Sequence, residues 1–159
     1  MKRPLLYLTV LFMVLLTSTM VSAADWKWDY EIEGAGTGVQ DTYLVNVTVV
    51  SKKPSLDDET FMRCAIHGVL FRGFESEQFR QKQKPMIGDA QTEQDQKAFF
   101  DGFFNGDLTP FSEIVEGSRQ MRMKDKKYHI TVTIQIFKEK LRHQLEDSGI
   151  IKRLNDGFE

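Results

Sequence analysis

Residues 128–137 read YHITVTIQIF, and this stretch decides the fold. Tyr128, Ile130, Val132, Ile134 and Ile136 share one parity, while His129, Thr131, Thr133 and Gln135 share the other. A period of two in a run rich in β-branched residues predicts a strand with one buried face and one wetter face. The remaining elements are expected to supply partners and a cover for the apolar face. Upstream, residues 112–124 form a weaker alternating run, with Val115, Met121 and Met123 expected inward and Arg119 breaking the pattern. Asp125-Lys126 is the turn between the two runs, which makes them a hairpin. Downstream, Leu141 and Leu145 share a helical face, and Ser148-Gly149 closes that helix. Ile150, Ile151, Leu154 and Phe158 follow as an apolar tail.

A second pair of strands is expected near the start. WKWDYEIE at 26–33 alternates apolar Trp26, Trp28, Tyr30 and Ile32 with charged residues, and TYLVNVTVVS at 42–51 reads as a second strand with Tyr43, Val45, Val47 and Val49 in register. The glycines between them suit a hairpin loop. Ser55-Leu-Asp-Asp58 reads as a capping box for a first helix carrying Phe61, Met62, Ala65, Ile66, Val69 and Leu70, with Gly73 as its stop. Residues 75–91 lack periodicity and read as a long polar loop. Thr92-Glu-Gln-Asp95 is a second capping box, opening a short helix with Phe99, Phe100, Phe103 and Phe104 that ends at Asn105-Gly106. The order ββα, loop and short α, ββα predicts an α+β domain over residues 24–159. Its expected architecture is a four-stranded antiparallel sheet with helices packed on one face.

Residues 1–23 are expected to lie outside that domain. Lys2 and Arg3, an apolar run over residues 5–16 and the small residues Val21-Ser22-Ala23 have the three-part layout of a secretory signal peptide, cleaved near Ala23. Export to the periplasm or the extracellular space of a bacterium follows, with membrane contact only through the transient signal. Cys64 is the sole cysteine, so no disulfide can form within the chain. The formal net charge is −2, and cleavage would remove two basic residues and no acidic one. That balance gives no electrostatic reason to bind nucleic acid.

Motifs with chemical potential are few. Gly34, Gly36 and Gly38 form a GxGxG, but a strand follows where a dinucleotide site needs a helix, so nucleotide binding is excluded. Cys64 and His67 stand at i, i+3, yet Cys64 lies among Met62, Ala65 and Ile66 and reads as a small buried thiol. His67, His129 and His143 are scattered without metal-ligand spacing, so neither a metal nor a cofactor is expected. Asp57-Asp58-Glu59 and Glu93-Gln-Asp95 are explained as helix starts. Asn46-Val-Thr48 matches a glycosylation acceptor inside a strand, and Lys82–Lys84 is a brief solvated basic run. No nucleophile can be paired with a base, so no enzymatic activity is expected. The aromatic cluster carries the most weight. Phe71, Phe74, Phe79, Phe99, Phe100, Phe103, Phe104 and Phe111 crowd the middle of the chain. They form either a second core patch or a surface that contacts a partner or an apolar ligand, with Phe74, Phe99, Phe100, Phe103 and Phe104 the contact candidates.

EIEGAGTGVQDTYLVNVTV, QKP at 83–85, FFDGFF at 99–104 and SGIIKRLNDGF at 148–158 resemble a family of small exported proteins from Bacteroidetes. The resemblance covers the whole mature chain and implies an envelope location and one domain, and it carries no site residues across. The alternation of strands and helices is also loosely similar to TolB amino-terminal-type envelope domains. The reading is an accessory or protein-interaction module of the envelope. The alternative is a carrier with an apolar pocket between sheet and helices.

Overall fold

The computed structural model describes residues 29–89 and 91–153. The expected signal peptide, Trp26, Trp28, Leu154 and Phe158 lie outside the described residues. The fold is α+β. Strand β7 (Lys127–Phe137) is its axis, buried at every second residue from Ile130 to Ile136. β2 (Thr42–Ser51) pairs along one side of β7, with Val45, Val47 and Val49 opposite Ile134, Val132 and Ile130. β1 (Tyr30–Gly36) lies antiparallel beyond β2. Among the described residues it begins at Tyr30, and it runs into the glycines, where the register shifts between Gly34 and Gly36. On the other side of β7 lies the run 112–124, expected as one strand and found as two. β5 (Ser112–Ile114) faces Ile136–Ile134, and β6 (Gln120–Lys124) faces Thr131–Lys127.

The break between β5 and β6 has a local cause. Gly117 takes a left-handed φ of 71°. The Ser118 hydroxyl accepts from the Thr133 amide at 3.1 Å, supplying the partner the missing strand would have given. Arg119 leaves the alternation because it reaches across to α1 (Asp58–His67): it pairs with Asp58 and lies over the Phe61 ring at 4.8 Å. Val115, Met121 and Met123 are exposed, not inward. Met121 does share a face with its partner Ile130, but among the described residues no helix extends over that edge to cover it.

The helices lie on one face, as the parity of β7 requires. α1 starts later than the Ser55 capping box would place it: Asp57 is the N-cap, accepting from the Thr60 hydroxyl at 2.5 Å and the Thr60 amide at 2.7 Å, and these bonds hold the Asp57 carboxyl below its usual range. After His67 the helix widens into a π turn over Gly68–Arg72, closed by the Gly73 amide on the Gly68 carbonyl at 2.8 Å. The carbonyls of Val69 and Leu70 turn instead to the amides of Met86 and Ile87. Gly73 (φ 71°) is the stop, and a Cβ there would meet the Gln83 carbonyl oxygen at 2.4 Å.

The polar stretch after Gly73 is not all loop. β3 (Phe74–Ser76) and β4 (Gln81–Gln83) form a small hairpin. It lies against β1 so closely that a Cβ on Gly34 would sit 3.2 Å from Ser76 Cβ. α2 (Thr92–Asp95) has Gln91, not Thr92, at its N-cap, and no side-chain cap forms. α3 (Lys97–Phe104) follows and is tied to α1 by Arg63 Nε donating to the Phe104 carbonyl at 2.7 Å. α4 (Lys138–Asp147) buries Leu141 and Leu145. It closes with Gly149 at φ 70° and the Ile150 amide on the Leu145 carbonyl at 2.9 Å, a Schellman end that turns Ile150 and Ile151 onto the core.

Candidate functional site

Phe99, Phe100, Phe103 and Phe104 are brought together, mainly as core, whereas Phe74 packs apart from them against Tyr43. Phe100 and Phe104 are buried and Phe99 and Phe103 half-buried, with Phe99 and Phe103 stacked at 5.9 Å between centroids. Phe100 meets Phe71 edge-on at 5.0 Å, and Phe74 meets Tyr43 in the same way at 5.3 Å. Ring-on-ring contacts of this kind stabilise packing beyond the area they bury. Phe79, by contrast, is exposed.

Beside this cluster lies a polar chain that the sequence did not disclose. Tyr30 Oη stands 2.6 Å from His67 Nδ1, and His67 Nε2 stands 3.1 Å from Glu93 Oε1. Tyr30 and His67 are only 5% and 4% exposed. Burial, reinforced by the Arg72 guanidinium, pulls the imidazole down to about 4 although a carboxylate is adjacent. Burial also pushes the Tyr30 phenol up, against the opposing pull of Arg72, and raises the Glu93 carboxyl. One proton arrangement satisfies all three groups: the phenol donates to Nδ1, and Nε2–H donates to Glu93. Nearby, burial pushes the Cys64 thiol up to about 12. Phenol and thiol therefore keep their protons at neutral pH and are poor nucleophiles. The chain is a buried tie joining β1, the end of α1 and α2. Its one sequence signal was a lone histidine on an apolar helix face.

The uncovered face of the sheet is built differently. The residues of β1, β2, β6 and β7 that point away from the helices are Glu31, Glu33, Asn46, Thr48, Gln120, Arg122, Lys124, His129, Thr131 and Thr133. Their side chains cross-link the strands: Thr48 Oγ1 and Thr131 Oγ1 lie 2.8 Å apart, and Thr133 Oγ1 donates to Asn46 Oδ1 at 2.7 Å. Above this floor runs an open trough of about 730 Å³. Glu31 and Glu33 form one wall, and Arg122 and Lys124 form the other. A smaller concavity of about 290 Å³ lies at the β1–β2 turn, lined by Gly36, Thr42, Tyr43, Phe74 and Gln81 among others. Both the trough residues and their opposed charges escaped the sequence reading, because Glu31 and Arg122 become neighbours only across four strands.

Among the described residues, no group of three or more metal-ligating side chains is gathered. No helix among them is long and apolar enough to cross a membrane. No protein-family profile matches this chain, and no curated protein and no solved structure matches it.

Proposed function

We propose that this chain is an exported, non-catalytic interaction module of the bacterial envelope that meets its partner with the uncovered face of its sheet. The observation that carries the reading is the trough, with its acidic wall at Glu31 and Glu33 and its basic wall at Arg122 and Lys124. Its floor of paired hydroxyls and an amide offers donors and acceptors to a partner. Such a surface suits a polar partner, since opposed charges steer encounter and fix register. The amino-terminal layout of basic start, apolar run and small residues supports export. An apolar-ligand carrier is less well supported, because Phe100 and Phe104 are spent on packing against other rings. The test is a photo-crosslinking residue placed at Thr131 in living cells, with the same residue at exposed Lys152 as control. A discrete crosslinked product from position 131 and none from 152 is expected. Absence of any product from position 131, with the variant folded and exported, refutes the reading.

A further inference from the structure

The two edges of the sheet are not equivalent. On β1, Arg72 Nη1 donates to the Tyr30 carbonyl at 3.0 Å, and Gln81 Nε2 donates to the Gly36 carbonyl. Side chains thus occupy an edge that would otherwise invite another strand. Among the described residues β6 has no such guard, and all five of its residues are exposed. The hairpin β6–β7 closes through Asp125 and Lys126, both at positive φ (52° and 60°), with Lys124 opposite Lys127. In a two-residue hairpin the closing pair exchanges both hydrogen bonds, and bonded pairs then alternate. Arg122 and Gln120 therefore bond to β7, whereas Met121 and Met123 turn their amides and carbonyls outward.

The side chains of this edge are equally distinctive. RQMRMKDKK at 119–127 contains five basic residues and one acidic in a chain whose formal net charge is −2. Arg119 is held by Asp58, but Arg122, Lys124, Lys126 and Lys127 form no ion pair among the described residues. Met121 and Met123 are 54% and 67% exposed on the opposite face of the same strand. Pairing with the β6 of a second copy would set these cations against their own kind. The geometry points to β6 as a docking edge that takes an acidic, extended segment of a partner protein by strand addition. Main-chain bonds to Met121 and Met123 provide the attachment. Acidic side chains on one face meet Arg122 and Lys124 beside the trough, and apolar ones on the other cover the two methionines. This inference rests on the reading of the chain as an interaction module and gives its partner a chemistry.

The test uses the purified full chain and a fluorescent peptide of alternating Glu and Val, titrated by anisotropy. Alternating Lys-Val and a proline-interrupted Glu-Val peptide serve as controls. The Glu-Val peptide is expected to bind at least about tenfold more tightly than either control, and less tightly as salt rises. Arg122→Glu with Lys124→Glu should weaken it at least about tenfold. Met121→Pro removes an outward N–H without touching a bond to β7, so it should abolish binding while leaving the melting curve unchanged. Binding that survives Met121→Pro overturns the proposal. So does preferential binding to phosphatidylglycerol vesicles with no peptide binding, which would make the edge a membrane patch. Self-association that Met121→Pro abolishes would make the occupant a second copy and overturns it too. Failure of the peptide with crosslinking at Thr131 intact removes the edge and leaves the interaction module standing, whereas loss of both removes the module.

Discussion

Replacing His67 with Phe should change how stability responds to pH more than it changes stability itself. The folded chain holds His67 neutral down to about 4, against 6.5 for a free imidazole. As pH falls through that window the unfolded chain takes up a proton that the folded chain refuses, so stability drops. Above the free value the two states bind alike and nothing is lost. Working the linkage between about pH 7.5 and about pH 4.5 gives a loss of roughly 2–3 kcal/mol specific to this residue. Glu93 acts in the opposite sense: its raised carboxyl binds a proton in the folded state first, which restores some stability as pH falls. Subtracting the His67→Phe variant from the wild type cancels most of that contribution. The assay is urea unfolding followed by circular dichroism at half-unit pH steps. The variant carries a constant penalty for the lost Tyr30–His67 hydrogen bond, on the order of 1–3 kcal/mol, and lacks the slope. Glu93→Gln keeps an acceptor for Nε2–H and should keep the slope. A wild-type minus variant difference that stays flat, or that grows as pH falls, would refute a neutral buried imidazole. Growth would mean that a charged His67–Glu93 pair forms in the folded protein.

Gly68→Ala should cost roughly 1–3 kcal/mol, since its Cβ would lie 2.6 Å from Ile32 Cδ1, whereas Gly102→Ala meets nothing within 4 Å and should stabilise α3 by about 0.5–1 kcal/mol. Chemical denaturation of the two variants side by side checks the contrast. Val132→Ala should cost about 2–4 kcal/mol and Thr131→Ala no more than about 1 kcal/mol, the former opening the core and the latter removing one hydroxyl pair on the trough floor. Equal losses would mean the second face of β7 is as dry as the first. Phe104→Ala should cost about 3–5 kcal/mol and half-buried Phe103→Ala distinctly less, measured as shifts in the urea midpoint at constant slope.

Where burial follows local periodicity, the fold was legible. The parity of residues 128–137 located the core face of β7, and Val45, Val47 and Val49 located that of β2. Gly73 and Ser148-Gly149 marked helix ends because positive φ has a sequence signature. The β3–β4 hairpin was invisible, since three-residue strands of FES and QKQ show no alternation and owe their pairing to contact with β1. Met121 and Met123 were assigned the right parity and the wrong environment, because parity fixes a face and only the reach of the helices decides whether it is covered. The first capping box slipped by two residues because several adjacent acids and hydroxyls can cap and Asp57 does so, whereas the second slipped to Gln91, where no side-chain cap forms. Tyr30, His67 and Glu93 are separated by 37 and 26 residues, so their convergence belongs to the tertiary fold alone.

The place of β7 in the chain also governs when the protein can exist. Each hairpin, β1 with β2 and β6 with β7, closes locally and on the scale of about 1–10 μs. Joining them brings together partners such as Thr48 and Thr131, 83 residues apart. Closure over such a span comes late, and sheets built from distant pairs fold in roughly milliseconds to seconds. A chain growing from its amino terminus can offer β1 and α1 to Val45, Val47 and Val49, but their partners in β7 are missing until residues 127–137 emerge. The sheet therefore cannot close before β7 has been made.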